Sequence, residues 1–194
     1  MSTKTKILDS AEALFAKDGI SNSSLRGIVK HAGVNVAAVH YHFGSKQELI
    51  KAVFERRIKI INQKRLDNLE VLKVEFNSAP IPIKKLLKAF ISPAIQFGQK
   101  ESSKYKNFLA CIARAHAETE DVVQVALYSN LKETLEIFMS EIRKSCPDYN
   151  DKETLMRFSF VAGAMVHTML LPLKKIFIEK FFNCLLYTSD AADE

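Results

Sequence analysis

Histidine and cysteine are the residue types in this sequence whose spacing could reveal a metal or redox site. His40 and His42 form an H-x-H pair, but side chains two residues apart on a helix point about 200° away from each other, so both rings cannot ligate one ion. Cys111, Cys146 and Cys184 are far apart and form no CxxC pair, which indicates neither a zinc ribbon nor a disulfide framework. The sequence therefore predicts no bound metal and reduced cysteines.

The carboxylates of residues 148–153 do not have the pattern of a catalytic set. Asp148, Asp151 and Glu153 stand where a turn and the start of a helix are expected, and acidic residues are common there. The sequence also contains no glycine-rich nucleotide-binding motif, no HExxH and no nucleophile elbow. We therefore predict that the protein is not an enzyme and that it needs no cofactor.

The second half of the sequence is rich in aromatic residues and methionine at helical spacing. Such a stripe is usually plain core, but deformable methionines and large rings also suit an adaptable apolar pocket. The two histidines of this region are either buried polar groups satisfied by their neighbours or polar anchors for a ligand. The candidate pocket residues are Phe90, Phe97, Phe108, Ile112, His116, Phe138, Met165 and His167.

The elements that position these residues are predicted to be helices throughout. Hydrophobic residues make up 47% of the chain, which contains only 6 glycines and 5 prolines, and the apolar residues recur at helical spacing. No apolar run reaches the roughly 18 to 20 residues that cross a bilayer. The N-terminus leads into a charged amphipathic segment rather than a secretory apolar core. We expect an all-α protein of the cytoplasm with no membrane partner.

Three short helices are predicted at the N-terminus. Apolar spacing and glycine stops place them at residues 4–18, 25–32 and 36–43. The second and third are about eight residues long, and the short turn between them contains Gly33, which is the pattern of a helix-turn-helix. Val39 and Phe43 can anchor the third helix on the core. The positions left facing outward, mostly small enough for a DNA major groove, are Asn35, Val36, Ala37 and His40.

Longer helices are predicted for the rest of the chain. The fourth begins after Ser45, whose capping-box partner is Glu48, and runs toward Leu72. Ser92-Pro93 should kink or break the fifth. A last apolar segment begins at Pro172 and starts as another helix. The fifth to eighth helices are predicted at residues 83–98, 103–116, 121–146 and 151–171.

Positive charge is concentrated in the N-terminal third of the chain, whose overall net charge is +6. Residues 1–65 contain 12 Lys/Arg against 5 Asp/Glu, whereas residues 66–194 contain 16 against 17. A basic head on a nearly neutral body is typical of a module that binds a polyanion such as double-stranded DNA.

Residues 33–49, GVNVAAVHYHFGSKQEL, resemble the tetracycline-repressor (TetR) family of transcription regulators, and residues 23–28, SSLRGI, resemble the start of that family's second helix. The resemblance implies an all-α homodimer of about nine helices. The first three would form the head, and the last two of each subunit would pack as an intersubunit four-helix bundle. Residues 157–167 are similar to a stretch in a subgroup that includes fatty-acid-responsive regulators.

Position by position, the resemblance implies a set of DNA contacts. Ser24 and Arg26 would contact DNA from the second helix, and Tyr41 and Lys46 would contact phosphates. Position 40 is usually Tyr in the family but is His here, so the backbone contact of that Tyr is in question, and His40 could instead donate to a base or a phosphate. The residues facing the groove would be Asn35, Val36, Ala37, Ala38 and His40.

The resemblance further implies a ligand-responsive regulator, more often a repressor, that binds a palindromic operator as a homodimer and is released by a small, apolar effector. We expect a helix-turn-helix domain at residues 1–46 and a helical ligand-binding and dimerisation domain at 47–183. Residues 184–194 break the preceding amphipathic pattern and match one reading frame of a common sequencing adapter, so we expect them to be a foreign tail.

Two other functions stay open on the sequence alone. One is a regulator whose body responds to a protein partner or to nothing. The other is a helical ligand-binding or enzymatic protein with a vestigial helix-turn-helix. Removing the charges of Arg26 and Lys46 separates the last case, because DNA binding and its salt dependence should fall only if the head is functional.

Overall fold

The computed structural model describes residues 1–77, 79–99, 103–118 and 120–173. Within these ranges the backbone forms eight α-helices, one short 3-10 turn (Leu171–Leu173) and no β-strand, so the all-α prediction is confirmed. The helices are α1 (Thr3–Asp18), α2 (Leu25–Ala32), α3 (Val36–Phe43), α4 (Lys46–Phe76), α5 (Ile83–Gly98), α6 (Ser103–Ala117), α7 (Asp121–Ser145) and α8 (Asp151–Leu170).

The short N-terminal helices begin and end at the residues that their sequence favours. Ser24 and Asn35 cap α2 and α3, because their side-chain oxygens accept hydrogen bonds from the backbone N–H groups of Gly27 and Ala37. Gly33 ends α2 in the left-handed conformation (φ 65°), which glycine adopts without steric penalty. Three residues therefore separate α2 from α3, as expected for a helix-turn-helix.

A buried carboxylate joins α1 to α4. Glu12 is 2% exposed and accepts hydrogen bonds from Arg56 Nη2 at 2.6 Å and from Arg57 Nε and Nη2 at 3.1 Å. Arg56 also reaches Asp9 at 2.5 Å. Two guanidinium groups on consecutive residues of α4 thus hold one face of α1, through charge-assisted hydrogen bonds that are stronger than neutral ones.

The apolar side chains form two packed clusters. The larger runs from α1 through α4 to α6 and α7 and includes Phe15, Phe54 and Phe108. The smaller lies among α4, α5, α7 and α8 around Phe90 and Phe138. Because the larger cluster contains residues from both sides of position 46, the N-terminal helices share a core with α4 and α6, and the proposed domain boundary at that position stays a prediction.

Pro93 lies inside α5, which continues for five more residues rather than breaking there. Proline has no N–H to donate, so the carbonyl of Ala89 loses its helical partner. Asn68 Nδ2 on α4 donates to that carbonyl at 3.5 Å, and Arg65 Nε donates to the next one, of Phe90, at 2.9 Å. Side chains of α4 therefore supply hydrogen bonds where proline weakens α5.

Most helix boundaries agree with the predicted ones to within one or two residues. The main difference is α4, which passes the predicted end at Leu72 and stops at Phe76, where Asn77 takes up a left-handed conformation (φ 44°). The predicted continuation of the helix that starts at Pro172 and the suspected tail at 184–194 lie outside the described residues. None of the helices described is both long enough and apolar enough to cross a bilayer.

Gly98 lies against the last turn of α8, where an added Cβ would be 2.8 Å from both the carbonyl oxygen and Cγ of Met169. We therefore expect Gly98→Ala to push α5 and α8 apart and to lower the free energy of unfolding by about 2 kcal/mol, measured by urea denaturation at fixed protein concentration. A gain of stability, as for a helical glycine that meets no neighbour, would contradict this close approach.

Candidate DNA-binding surface and ligand cavity

One face of α3 is exposed and carries most of the predicted groove-facing residues. Val36, Ala37, His40 and Tyr41 follow i, i+1, i+4, i+5 spacing and are all exposed, Tyr41 to 86%. Val39, on the opposite side, is fully buried. The helix thus presents one face to the core and a continuous second face, with two small aliphatic residues in it, to the outside.

Several polar side chains of this surface also form hydrogen bonds with the backbone at the ends of α2 and α3. Ser24 and Asn35 use their oxygens as caps, which leaves the Ser24 hydroxyl hydrogen and the Asn35 amide N–H groups available as donors. His40 Nδ1 lies 3.1 Å from the carbonyl oxygen of Gly44. When Nδ1 donates in that hydrogen bond, Nε2 of the neutral ring is an acceptor, so His40 would accept from a base rather than donate to it.

One predicted contact is placed differently from the expectation. Ala38 is half-buried and packs against the core beside Val39, which corrects its assignment to the groove-facing set. Lys46 Nζ donates to the carbonyl oxygen of Ser21 at 3.2 Å. The Lys46 ammonium is therefore held where the α1–α2 loop meets α4, with two further N–H donors for a phosphate. Arg26 is exposed on α2, as a phosphate or base contact requires.

The exposed face of α3 lies in a segment of the chain whose charged side chains are all basic. The segment Gly19–Gln47 contains three Lys/Arg side chains and no carboxylate. In α1, Asp9 and Glu12 are neutralised by arginines of α4. Such a one-sided charge distribution attracts a polyanion.

A cavity of about 280 Å³ lies among α4, α5, α6, α7 and α8. Its walls are almost wholly apolar, and each helix contributes, for example through Ile61, Phe90, Ile112, Leu131 and Met165. The volume is close to the lower end of the range found for small-molecule pockets, and apolar walls with few polar groups are typical of them.

Five of the eight predicted pocket residues line this cavity. They come from three helices and are Phe90, Phe108, Ile112, His116 and Met165. Partial burial lowers the pKa of His116, so its ring is neutral at neutral pH. Because His116 is exposed as well as cavity-lining, it lies at the edge of the cavity, with one donor and one acceptor to offer.

The other three predicted pocket residues lie outside the cavity lining, which corrects their assignment. Phe97 packs at right angles against Phe108, with ring centroids 5.5 Å apart. Phe138 is fully buried in the smaller cluster, 5.1 Å from the ring of Phe90. His167 is exposed on α8. Residue type alone did not show whether a side chain of these helices points toward the core, toward solvent or toward the cavity.

Sequence reasoning missed Arg65 and the leucines of α7 in the cavity wall. Arg65 falls on the apolar stripe of α4 between Ile61 and Leu69, at spacings of four residues. A charged residue inside such a stripe is a usable signal, because an isolated buried charge is costly. On α7 the cavity-lining residues recur every four positions and are Leu127, Leu131 and Leu135.

Helix α6 connects the cavity to the N-terminal helices. Its Ile112 and His116 line the cavity, while Arg114 donates to the carbonyl oxygens of Ala16 and Lys17 at the end of α1, at 2.9 and 2.7 Å. One turn further along the chain lies Glu118.

The Glu118 carboxylate accepts hydrogen bonds from the backbone N–H of Ile20 at 2.9 Å and from the Ser21 hydroxyl at 2.8 Å. The α1–α2 loop is therefore hydrogen-bonded at one point to the end of α6 and at another to Lys46 of α4. A shift of α6 caused by a molecule in the cavity would act directly on this loop.

Cys111 is fully buried in the core between α1 and α6. Cys111 Sγ donates to the carbonyl oxygen of Glu12 at 3.3 Å, and burial raises the pKa of its thiol far above the usual range, so the thiol is unreactive. No group of three or more His, Cys, Asp or Glu in the described ranges is arranged to hold a metal ion.

Comparison with known proteins agrees with this arrangement. The family model for bacterial regulatory proteins of the tetR family matches residues 7–53, and the model for a tetracyclin repressor-like C-terminal domain matches residues 88–172, together about two thirds of the chain. The HTH-type transcriptional regulator AcrR of Shigella flexneri is 32% identical over 82 residues, which are 42% of this chain and 36% of that protein. The match thus spans about a third of that curated relative.

Solved structures share the whole fold at low sequence identity. A putative tetR family regulator from Shewanella sp. PV-4 has a TM-score of 0.65 at 16% identity and covers 99% of this chain and 94% of its own. The regulator FadR from Bacillus subtilis, in complex with stearoyl-CoA, has a TM-score of 0.60 at 15% identity, with 88% and 87% covered. At these identities the likeness is one of fold, so the fatty-acid-responsive subgroup stays a prediction. With family models matching both its N-terminal helices and its helical body, this chain belongs to the TetR family of transcription regulators.

Proposed function

We propose that this regulator binds a palindromic operator as a homodimer and is released from it by a small, largely apolar effector, most simply as a repressor in the cytoplasm. The observation that carries the proposal is the path along α6. This helix lines the cavity, hydrogen-bonds the end of α1 through Arg114, and leads directly into Glu118, which accepts from the α1–α2 loop. The exposed face of α3 would enter the major groove, with Arg26 and Lys46 on phosphates.

Homodimer formation is supported by the exposed side of α8. Leu155, Met156 and Phe160 are 61%, 51% and 70% exposed, which is unusual for large apolar side chains in one helix of a soluble monomer. A second copy of the same helix, related by a twofold axis, would cover them.

Effector control would work by a shift between two dimer states. The two heads must lie about 34–36 Å apart to read successive major grooves. A ligand that binds the cavity better when the heads have another spacing shifts the population toward that state and releases DNA. The stearoyl-CoA found in the Bacillus subtilis relative supports a role of this body in binding molecules with long apolar parts.

The proposal is tested by nuclease footprinting of the purified protein on the DNA upstream of its own gene, with excess random-sequence competitor and light scattering to establish the dimer. We expect protection of an inverted repeat whose half-sites are centred about one helical turn, or a multiple of it, apart. A proper dimer that protects this DNA no better than it binds the competitor would favour the alternative of a helical ligand-binding protein with a vestigial head.

Glu118→Gln should separate ligand binding from DNA release. The change removes one of the two carboxylate oxygens that accept from the α1–α2 loop, while the cavity and the α3 surface stay intact. Binding of an allosteric ligand typically changes the affinity of the second site by roughly 5- to 150-fold, and we expect a change of that size in the affinity of the wild type for DNA. A compound that releases the wild type from DNA should still bind the variant, but it should change the variant's affinity for DNA by about twofold or less. The affinity is measured by fluorescence anisotropy with and without that compound.

Glu120→Gln, an equal charge change at an exposed position two residues away, is the matched control and should keep wild-type coupling. Full coupling in Glu118→Gln would show that the signal takes another route.

A further inference from the structure

Arg65 is the one charged side chain at neutral pH among the residues described as lining the cavity. It is only 3% exposed, and its guanidinium stacks on the ring of Phe90 at 3.9 Å. A cation at this depth is expensive to bury unless an anion pairs with it.

Every hydrogen-bond partner of this guanidinium is neutral. Nε donates to the Phe90 carbonyl oxygen at 2.9 Å, Nη1 to Asn62 Oδ1 at 3.0 Å, and Nη2 to Met165 Sδ at 3.5 Å. Within the described ranges no carboxylate forms a salt bridge with Arg65. Sulfur is a weak acceptor, so Nη2 makes the weakest of the three contacts, and it makes it with a residue of the cavity wall.

The guanidinium nevertheless carries its charge. Burial lowers the pKa of Arg65 to about 10, which still leaves it protonated at neutral pH. Of the five N–H donors of a guanidinium, three are used by neutral partners, and two, one on each terminal nitrogen, are not. The cavity therefore combines apolar walls with a buried positive charge that has no counter-ion among the residues that the structure describes.

We propose that the effector is an organic monoanion, an apolar body with one carboxylate group, whose carboxylate pairs with the Nη atoms of Arg65. The proposal rests on the proposed function of the cavity as the effector site. One cation balances one negative charge, so a dianionic phosphate ester would leave a buried charge uncompensated. A free carboxylate is therefore favoured over a phosphorylated molecule, and over a neutral ester or thioester that offers no charge at all.

The test uses three amphiphiles of equal chain length, sodium decanoate, decanol and decylamine, and measures their binding to the full-length protein by isothermal titration calorimetry. We expect decanoate to bind at least roughly tenfold more tightly than decanol, and decylamine to bind most weakly because its charge repels Arg65. In Arg65→Met the preference for decanoate over decanol should fall to about twofold or less, and in Arg65→Lys it should be partly kept.

Lys64→Gln, the loss of one positive charge at the exposed neighbouring position of α4, is the control and should leave the preference unchanged. Decanol binding as tightly as decanoate in the wild type would overturn the proposal whether or not Arg65→Met folds. Equal loss of preference in Lys64→Gln would also overturn it, since the effect would then be one of net charge.

DNA binding is measured in parallel, so that failure of the carboxylate proposal can be distinguished from failure of the proposed regulator function. Operator binding that is released by neutral apolar compounds alone would overturn the carboxylate proposal and keep the regulator. Arg65-dependent decanoate binding without any specific DNA binding would overturn the proposed function and keep the carboxylate site.

Discussion

Replacement of Ala37 by Glu is expected to weaken operator binding by roughly a hundredfold or more. Ala37 is exposed on the outward face of α3, where the helix would lie closest to the floor of the groove. A carboxylate there meets the negative potential of DNA and needs room that a methyl group does not. The thermal midpoint of unfolding should change little, because an exposed Glu in the first turn of a helix is tolerated and favoured by the helix dipole.

Gln96→Glu adds the same charge at an exposed position of α5 and should reduce DNA affinity only slightly, through the change in net charge. The two variants are compared by fluorescence anisotropy on the same DNA at one salt concentration. If Ala37→Glu bound DNA as well as Gln96→Glu does, α3 would not be the helix that enters the groove.

Glu12→Gln is expected to lower the free energy of unfolding by about 3 kcal/mol. The carboxylate of Glu12 accepts hydrogen bonds from Arg56 and Arg57 while almost fully buried. An amide keeps one acceptor oxygen but sets an NH₂ group against a guanidinium and removes the charge that both arginines need. The measurement is urea denaturation at a fixed protein concentration, since a dimer's stability depends on concentration.

Glu55→Gln makes the same chemical change at an exposed position of α4 and should alter stability by no more than about 0.5 kcal/mol. Because Glu12 fixes α1 to α4, its loss should also weaken operator binding through the head. A loss in Glu12→Gln no larger than in Glu55→Gln would mean that solvent replaces the lost contact and that the arginines hold α1 by packing alone.

The helices were predictable because their ends are determined by residues close to them in the sequence. Ser45 caps α4 and Gly33 ends α2, as their residue types predict, and the structure adds Ser24 and Asn35 as caps of α2 and α3. These features depend on residues within four positions of each other. The predicted end of α4 was less accurate, because the helix ends at Asn77 and asparagine is a weaker stop signal than glycine.

The cavity was predicted less well because its walls are set by long-range packing. Phe90 and Phe97 have the same residue type on the same helix, yet only Phe90 reaches the cavity. Pro93 removes the helical partner of the Ala89 carbonyl, and Asn68 of the neighbouring helix α4 donates to that carbonyl instead. A sequence shows the proline but not the neighbour that compensates for it.

The link through Glu118 was also invisible in the sequence. Nearly a hundred residues separate Glu118 from Ile20 and Ser21, and no periodicity joins them. Helix α4 begins at the head and ends in the body, so the order of the helices alone makes it a candidate link between the two. The structure adds α6, whose end contacts the α1–α2 loop directly.

Recognition of a specific DNA site by the basic head is measured in an equilibrium competition between the protein's own upstream DNA and random DNA over a series of salt concentrations. We expect the upstream site to bind at least roughly a thousandfold more tightly than random DNA. We also expect the logarithm of the affinity to fall linearly with the logarithm of salt, by about 0.9 for each phosphate contacted. Equal affinity for the two DNAs at every salt concentration, shown with a protein that is dimeric and folded, would mean that the head binds DNA through charge alone and recognises no specific site.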